Sequence, residues 1–284
     1  AGEAEPLVHA LYKSLTEEQR KLVAFKYDDP LRQEIENNWF ITKARVAKNF
    51  NKDQQEMIRA IFDGLHSEEY RDKVKHQVEH DNRGGIDNCS IAIFGEPGSG
   101  KSEFVFTGRH VTRRCDADNR PDTAFGGPIF YGHAAQGFNE KPDHPGNVYW
   151  FQGIRANEVF RALDGKQRKL ALLSEDRGED GPNTVKTKGT AEGLAGVPMT
   201  ELSGDQKELV HKVLADLLMP FRKRDAEEAM KLVNKQFDQL HMSFCKSMDI
   251  GNDGVWDVWQ IEGPKMLWYF RGAPHVHTWV HVKG

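Results

Sequence analysis

The sequence lacks several features that would assign the protein to a class at once. No stretch of the 284 residues approaches the run of about 18 apolar residues that predicts a membrane-spanning helix. The formal net charge is −4, so the composition does not indicate a general nucleic-acid-binding surface. There is no G-x-S-x-G motif and no cysteine in a recognisable catalytic setting, so no nucleophile arrangement stands out.

The three cysteines and the first residues bear on the cellular compartment. Cys89 and Cys115 fall on two arms of a predicted hairpin, but its turn places Cys89 opposite Gly108, so free thiols are expected. Cys245 is predicted to be buried in a C-terminal helix. The sequence begins Ala-Gly-Glu without Met, which fits removal of an export signal or a trimmed chain, and we favour an exported protein.

The segment from Gly95 to Ser102 fits the phosphate-binding pattern G-x-x-x-x-G-K-[ST] at every position and follows an apolar run. Such a loop binds phosphate only if a helix begins after Lys101. The following residues, such as Phe104 and Thr107, are aromatic or β-branched, which favours a strand. We therefore interpret the loop as a hairpin turn; the alternative is a nucleotide hydrolase that binds through Lys101 and Ser102.

A recurring pattern marks four helix starts. Each copy has an apolar residue, a capping residue and then Gln three positions later, which is typical of a capping box. The capping residues are Thr16, Asn51, Asp164 and Ser203. The full set of helices is predicted over 6–26, 30–38, 52–64, 67–80, 154–173, 203–219 and 225–248.

Strands are predicted within 88–115 and over 128–131, 255–261, 266–270 and 275–282, and 81–85 is predicted to be a linker. The order of helices and strands predicts one α+β domain over residues 1–284, with a helical part over 1–80 and a flexible loop over 174–200. In this fold a mostly antiparallel sheet, built from the central and C-terminal strands, is packed by helices.

The terminal strand gives the strongest chemical signal. Alternation places His275 and His277 on one face, about 7 Å apart at their Cα atoms, so both rings could reach one metal ion. An open site needs a third ligand, for which we select His110, with His133 and His144 in reserve. Neutral imidazoles suit Zn, Cu or Fe.

Other readings of these residues remain open. The same histidines fit an exposed strand face with no metal. Arg109, together with Arg113 and Arg114, could bind an anionic small molecule near His110, and Arg109 is the selected candidate; the alternative expected for all three is a charge on the wet side of a strand. Glu262 is expected to be a turn residue. A further alternative is a non-enzymatic module that binds carbohydrate or a partner through indole surfaces, and its candidates are Trp256, Trp259, Trp268 and Trp279.

Several segments, taken in order, resemble a bacterial family known as domain of unknown function 3500. The matching pieces are the capped helix starts, 93–95, 108–112, 130–132, 261–264 and 275–280. The resemblance implies that His110, His275 and His277 belong to the family pattern, whereas His281 falls outside it and the loop from His133 to His144 is a subgroup feature. It also implies that Lys101 and Ser102 are not required, and it is consistent with export.

Overall fold

The computed structural model describes residues 3–116, 120–134, 148–247, 249 and 252–284. Its α-helices are α1 (Ala4–Ser14), α2 (Glu17–Val23), α3 (Val46–Asn49), α4 (Lys52–Gly64), α5 (Arg71–Asp81), α6 (Trp150–Ala162), α7 (Gly165–Ala171), α8 (Gly181–Thr184), α9 (Gly204–Leu218) and α10 (Lys223–Asn234). Its strands are β1 (Ala24–Phe25), β2 (Ser90–Glu96), β3 (Lys101–Gly108), β4 (Val111–Cys115), β5 (Ile129–His133), β6 (Leu172–Leu173), β7 (Val197–Pro198), β8 (His241–Cys245), β9 (Val258–Glu262), β10 (Met266–Arg271) and β11 (Val276–Val282). The protein is α+β, as predicted.

One mostly antiparallel sheet runs through both halves of the chain. Its order is β1-β2-β3-β4-β5-β11-β10-β9-β8-β6, and β7 pairs with β8. The two halves follow the same plan, because a short outer strand lies parallel to its neighbour at each edge and antiparallel strands lead inward. The halves meet at the β5–β11 pair, where Tyr131 lies opposite Thr278. This junction carries the candidate site.

The four predicted capping boxes are all present, and they explain the repeat. Gln19 and Gln54 hydrogen-bond to each other through their side-chain amides at 2.8 and 3.0 Å. Gln167 and Gln206 form the same pair in the second half at 2.9 and 2.8 Å. Each Gln therefore caps its own helix and also joins that helix to the other helix of its pair. The four copies of the sequence pattern thus mark two matched helix pairs, α2 with α4 and α7 with α9.

The two faces of the sheet are covered differently. Helices such as α1, α4, α6 and α9 pack on one face over the main hydrophobic core. The other face is covered by two mostly irregular segments, residues 25–41 over β2 and β3, and residues 173–196 over β8 to β11. None of the helices in the described ranges has the length and apolar character required to span a lipid bilayer.

The phosphate-binding motif is a hairpin turn. Glu96 pairs with Lys101, and β3 continues from Lys101 through Thr107, so a strand stands where the helix of a phosphate-binding loop would begin. Gly98 and Gly100 have φ of 90° and 80°, which suits glycine in a tight turn. The nucleotide-hydrolase alternative is therefore wrong. No disulfide bond joins Cys89, Cys115 and Cys245, as expected.

Several local predictions are corrected. The predicted helix over 6–26 is two helices, and the predicted helix over 30–38 is only a 3₁₀ turn, Pro30–Gln33. The carbonyls of Arg32 and Glu34 accept hydrogen bonds from the Arg114 guanidinium, so the backbone there is held extended. The segment from 154 to 173 is also divided, and the predicted helix over 225–248 ends at Asn234. Cys245 is buried, but it lies in strand β8.

Charged residues assigned to the surface are buried. Arg113 and Arg114 are 2% and 3% exposed and lie on opposite faces of β4. Arg113 contacts His66 and Phe221 on the helical face, whereas residues 32–34 cover Arg114 on the other face. Arg114 pairs with buried Glu103 at 2.6 Å. Arg113 donates from Nε to His66 Nε2 at 2.9 Å. Glu262 belongs to β9 and forms an ion pair with Arg177 at 3.4 Å, so it is not a turn residue.

The tryptophans do not form the predicted binding surface. Trp259 and Trp268 are 1% exposed, and Trp279 is fully buried. Trp256 is partly buried and packs edge-on against Phe160. These indoles belong to the core, which removes the surface on which the carbohydrate- or partner-binding alternative depended.

Candidate metal centre

The three predicted histidines meet at one point beside the β5–β11 junction. His277 lies on β11, and His275 stands just before that strand. His110 comes from the two-residue turn between β3 and β4, where its φ of 57° places it in the left-handed region. Strain of this kind is uncommon for residues other than glycine and clusters at functional sites. Two distant parts of the chain therefore supply the imidazoles.

The Nε2 atoms of the three rings face one another. His277 Nε2 lies 2.9 Å from His275 Nε2 and 3.0 Å from His110 Nε2. Around Zn²⁺, tetrahedral Zn–N bonds of about 2.0–2.1 Å would separate two nitrogens by about 3.3 Å. The observed separations are close to this value, so a small outward movement of each ring would accommodate an ion.

Carboxylates hold the opposite nitrogens of two rings. Asp81 Oδ2 lies 2.9 Å from His110 Nδ1, and Glu179 Oε1 lies 2.7 Å from His277 Nδ1. Each carboxylate accepts a hydrogen bond from Nδ1–H, so the proton of that neutral ring lies on Nδ1 and its Nε2 carries a lone pair. The His110 and His277 lone pairs then face each other at 3.0 Å with no hydrogen between them. A bound cation would remove this repulsion.

Burial and nearby charges favour the neutral rings. Burial, together with the charges of His277 and His110, lowers the pKa of His275 to about 3. Burial also lowers the pKa of His277 to about 4, although its hydrogen bond to Glu179 opposes the shift. Neutral imidazole is the form that binds metal.

Glu179 is anchored on both of its oxygens. Oε1 also accepts from Trp279 Nε1 at 2.7 Å, and Oε2 lies 3.2 Å from Arg271 Nη1. Burial alone would raise the pKa of Glu179, but the bonds from His277 and Trp279 and the charge of Arg271 outweigh it and lower the pKa to about 2. The carboxylate is therefore ionised and fixed in place.

The centre is open on one side. His110 and His277 are 3% and 6% exposed, whereas His275 is only half-buried. Within the described ranges, the group holds three ligand nitrogens and no fourth protein ligand. Three protein ligands with one open position are typical of a catalytic metal site rather than a structural one.

The other candidate residues lie around this centre or away from it. His133 is on β5 beside Asp81 but outside the group of three, and His144 lies outside the described residues. Arg109 is exposed next to His110. His281 lies farther along β11 and contacts the Val185 carbonyl at 3.3 Å.

Sequence reasoning missed the residues that orient the histidines. Asp81 was placed in a linker, although it is the buried last residue of α5. Glu179 lies in the segment predicted as a flexible loop, which contains α8 and buried Val185. Arg271 follows the last position of a predicted strand. No local pattern marks these residues, because their contacts with the histidines are formed only on folding.

A separate cavity lies on the same face of the sheet. It has a volume of ≈ 250 Å³, and Tyr269, Arg177 and Trp259 are among its lining residues. Tyr269 pairs with Trp279 across β10 and β11, so the cavity is close to the centre, but none of the three histidines lines it.

Comparison with known proteins agrees with the resemblance. The model of the family described as "Protein of unknown function (DUF3500)" matches residues 2–283. The chain belongs to this family. No curated protein and no solved structure matches the chain.

Proposed function

We propose that the protein binds a divalent transition metal ion through His110, His275 and His277. The observation that carries the proposal is the tautomer conflict between His110 and His277. Their carboxylate partners fix the protons on Nδ1, so two unprotonated Nε2 atoms face each other at 3.0 Å. Metal-binding histidines in proteins commonly have this carboxylate support.

The open side of the centre favours a catalytic role. A metal ion with three histidine ligands and one open position supplies Lewis acidity and lowers the pKa of water. This chain would contribute three neutral imidazoles, and Glu179 would fix the orientation of His277. The three imidazoles suit Zn, Cu or Fe. We propose more specifically that the protein is exported and is a metal-dependent enzyme.

The metal proposal is tested by elemental analysis of the purified protein and by metal-dependent thermal stability. We expect about one bound ion at this centre, lost in His275→Ala and in His110→Asn; Asn tolerates the left-handed backbone at residue 110. His211→Ala is the control, because that ring stacks on Phe237 away from the centre. A metal-free protein whose His277→Ala variant responds to added Zn, Cu and Fe as wild type does would refute the proposal.

We further propose that the small molecule that binds at the open side of this centre is an anion, and that Arg271 holds it. The Arg271 guanidinium lies beside Glu179, and within the described structure its buried Nε has no hydrogen-bond partner. A substrate carboxylate could accept from this nitrogen while it approaches the open side of the centre. The sequence indicated Arg109 for this role, and the two arginines can be compared directly.

Cobalt-substituted protein provides the comparison, because ligand binding changes its visible absorption. Acetate serves as the anionic probe. We expect Arg271→Gln to weaken acetate binding about tenfold, as loss of one charge-assisted hydrogen bond implies. Arg109→Gln should leave acetate binding unchanged. If Arg109→Gln weakens acetate binding and Arg271→Gln does not, the anion is held by Arg109. If neither substitution changes acetate binding, the proposal of an anionic ligand is refuted.

A further inference from the structure

A second group of potential metal ligands lies on the other side of Asp81. It consists of His80, Asp81 and His133, which come from the end of α5 and the end of β5. Asp81 Oδ1 lies 3.0 Å from His80 Nδ1 and 3.2 Å from His133 Nδ1. These separations match those between neighbouring ligands of a four-coordinate ion, about 3.3 Å.

The two oxygens of Asp81 have different environments. Oδ2 accepts from His110 Nδ1, from Gln77 Nε2 at 3.1 Å and from the Ala134 amide at 3.0 Å. Oδ1 faces only the two imidazoles among the contacts of the described residues. Oδ2 is thus committed to the three-histidine centre, and Oδ1 is available to a second cation.

His133 supplies an independent observation. Its side chain is 2% exposed, yet neither ring nitrogen has a hydrogen-bond partner within the described structure. Nδ1 is close to Asp81 Oδ1 but is not aligned for a hydrogen bond. A buried polar group without a partner costs about 1–3 kcal/mol, so such groups are rare in native proteins. An ion between His133 and Asp81 would satisfy the ring.

We propose that His80, Asp81 and His133 form a second site for a divalent transition metal ion. Two imidazoles and one carboxylate suit Zn or Fe better than Mg or Ca. His80 is 47% exposed, so the ion has a route from solvent and water can complete its coordination. The inference goes beyond the three-histidine centre, with which it shares Asp81, and the shared carboxylate implies reciprocal coupling between the sites.

Native mass spectrometry of zinc-loaded, dialysed protein tests the second site. We expect two ions per chain in wild type, one in His80→Ala, one in His275→Ala and none in the double variant. His80→Ala should fold normally because nearly half of this side chain is exposed, whereas a variant of the buried His133 could fail for structural reasons. His76→Ala is the matched control, one turn earlier on α5 and also exposed, and it should retain two ions.

The outcomes separate the two sites. If His80→Ala binds as many ions as wild type, the second site is refuted. If His80→Ala loses one ion while His275→Ala loses none, the second site stands and the three-histidine centre fails. In a positive result, zinc affinity of the three-histidine centre should also change in His80→Ala, because Asp81 then carries no second cation.

Discussion

The contact between Glu179 and His277 gives a quantitative prediction. Glu179 Oε1 accepts from His277 Nδ1 at 2.7 Å and from Trp279 Nε1 at 2.7 Å. Glu179→Gln keeps the size of the side chain but removes its charge. Nδ1 of His277 then has a weaker acceptor, so the ring is less firmly oriented and its Nε2 is a poorer ligand.

The expected loss follows from the role of such supporting carboxylates. Their removal typically weakens metal binding 10–100-fold, which is about 1.4–2.7 kcal/mol. At a free metal concentration of about 100 times the wild-type Kd, binding stabilises the folded protein by about 2.7 kcal/mol. At the same concentration the variant should gain only about 0.4–1.4 kcal/mol.

Two measurements determine the effect separately. Competition with a chelator gives the metal Kd, and urea unfolding with and without metal gives the gain in stability. Glu175→Gln is the matched control, since Glu175 is an exposed carboxylate on the same segment, outside the histidine group. Unfolding of the metal-free proteins shows whether Glu179→Gln also changes intrinsic stability, because Arg271 loses its partner at 3.2 Å.

The reasoning would be refuted by a Glu179→Gln variant that binds metal within twofold of wild type while His277→Ala does not bind. His277 would then be a ligand whose orientation does not depend on the carboxylate. A loss of metal-free stability with unchanged metal affinity would assign Glu179 a purely structural role.

The remaining predictions concern the turn, the helix pairs and an ion pair. Lys101→Ala should leave thermal stability unchanged with and without magnesium and ATP, since Lys101 begins a strand; nucleotide protection of wild type would contradict this. Gln54→Ala should lower the free energy of urea unfolding by about 2 kcal/mol, because buried Gln54 caps α4 and binds the α1 end, whereas exposed Glu18→Ala should have little effect. Burial alone would raise the pKa of Glu5, but the hydrogen bond and charge of Arg222 outweigh burial and lower this pKa. The Glu5–Arg222 pair therefore stabilises the fold above about pH 4.3, the ordinary pKa of Glu, and this contribution is lost as the pH falls through the lowered pKa. The destabilisation caused by Glu5→Gln should therefore shrink in acid, and an equal effect at pH 7 and pH 3 would contradict the assignment.

Local signals predicted much of the fold. The capping box at Asn51 and the following periodicity place a helix over Lys52–Gly64, which is its observed extent. Alternation placed His277 and Trp279 on one face of the last strand, where Glu179 contacts both. These patterns work because the hydrogen bonds of a helix cap and the period of a strand involve neighbouring residues.

Errors arose where distant contacts determined the local structure. The segment after Asn234 was predicted as helix, but its alternating residues pair with β9 as strand β8. Arg114 was assigned to the surface, although Glu103 and the carbonyls of Arg32 and Glu34 enclose it. A local pattern cannot show which segment will cover a face of the sheet.

The same distinction between local pattern and distant contact applies to the candidate metal centre. The sequence alone identified the three imidazoles as candidates, because His275 and His277 stand at i and i+2 of a predicted strand and His110 lies in an earlier predicted strand, 165 positions before His275. Only the tertiary structure decided that their Nε2 atoms converge and that Asp81 and Glu179 fix their protons. These carboxylates lie 29 and 98 residues from the histidines they orient, so their roles arise when the two halves of the sheet join at β5 and β11.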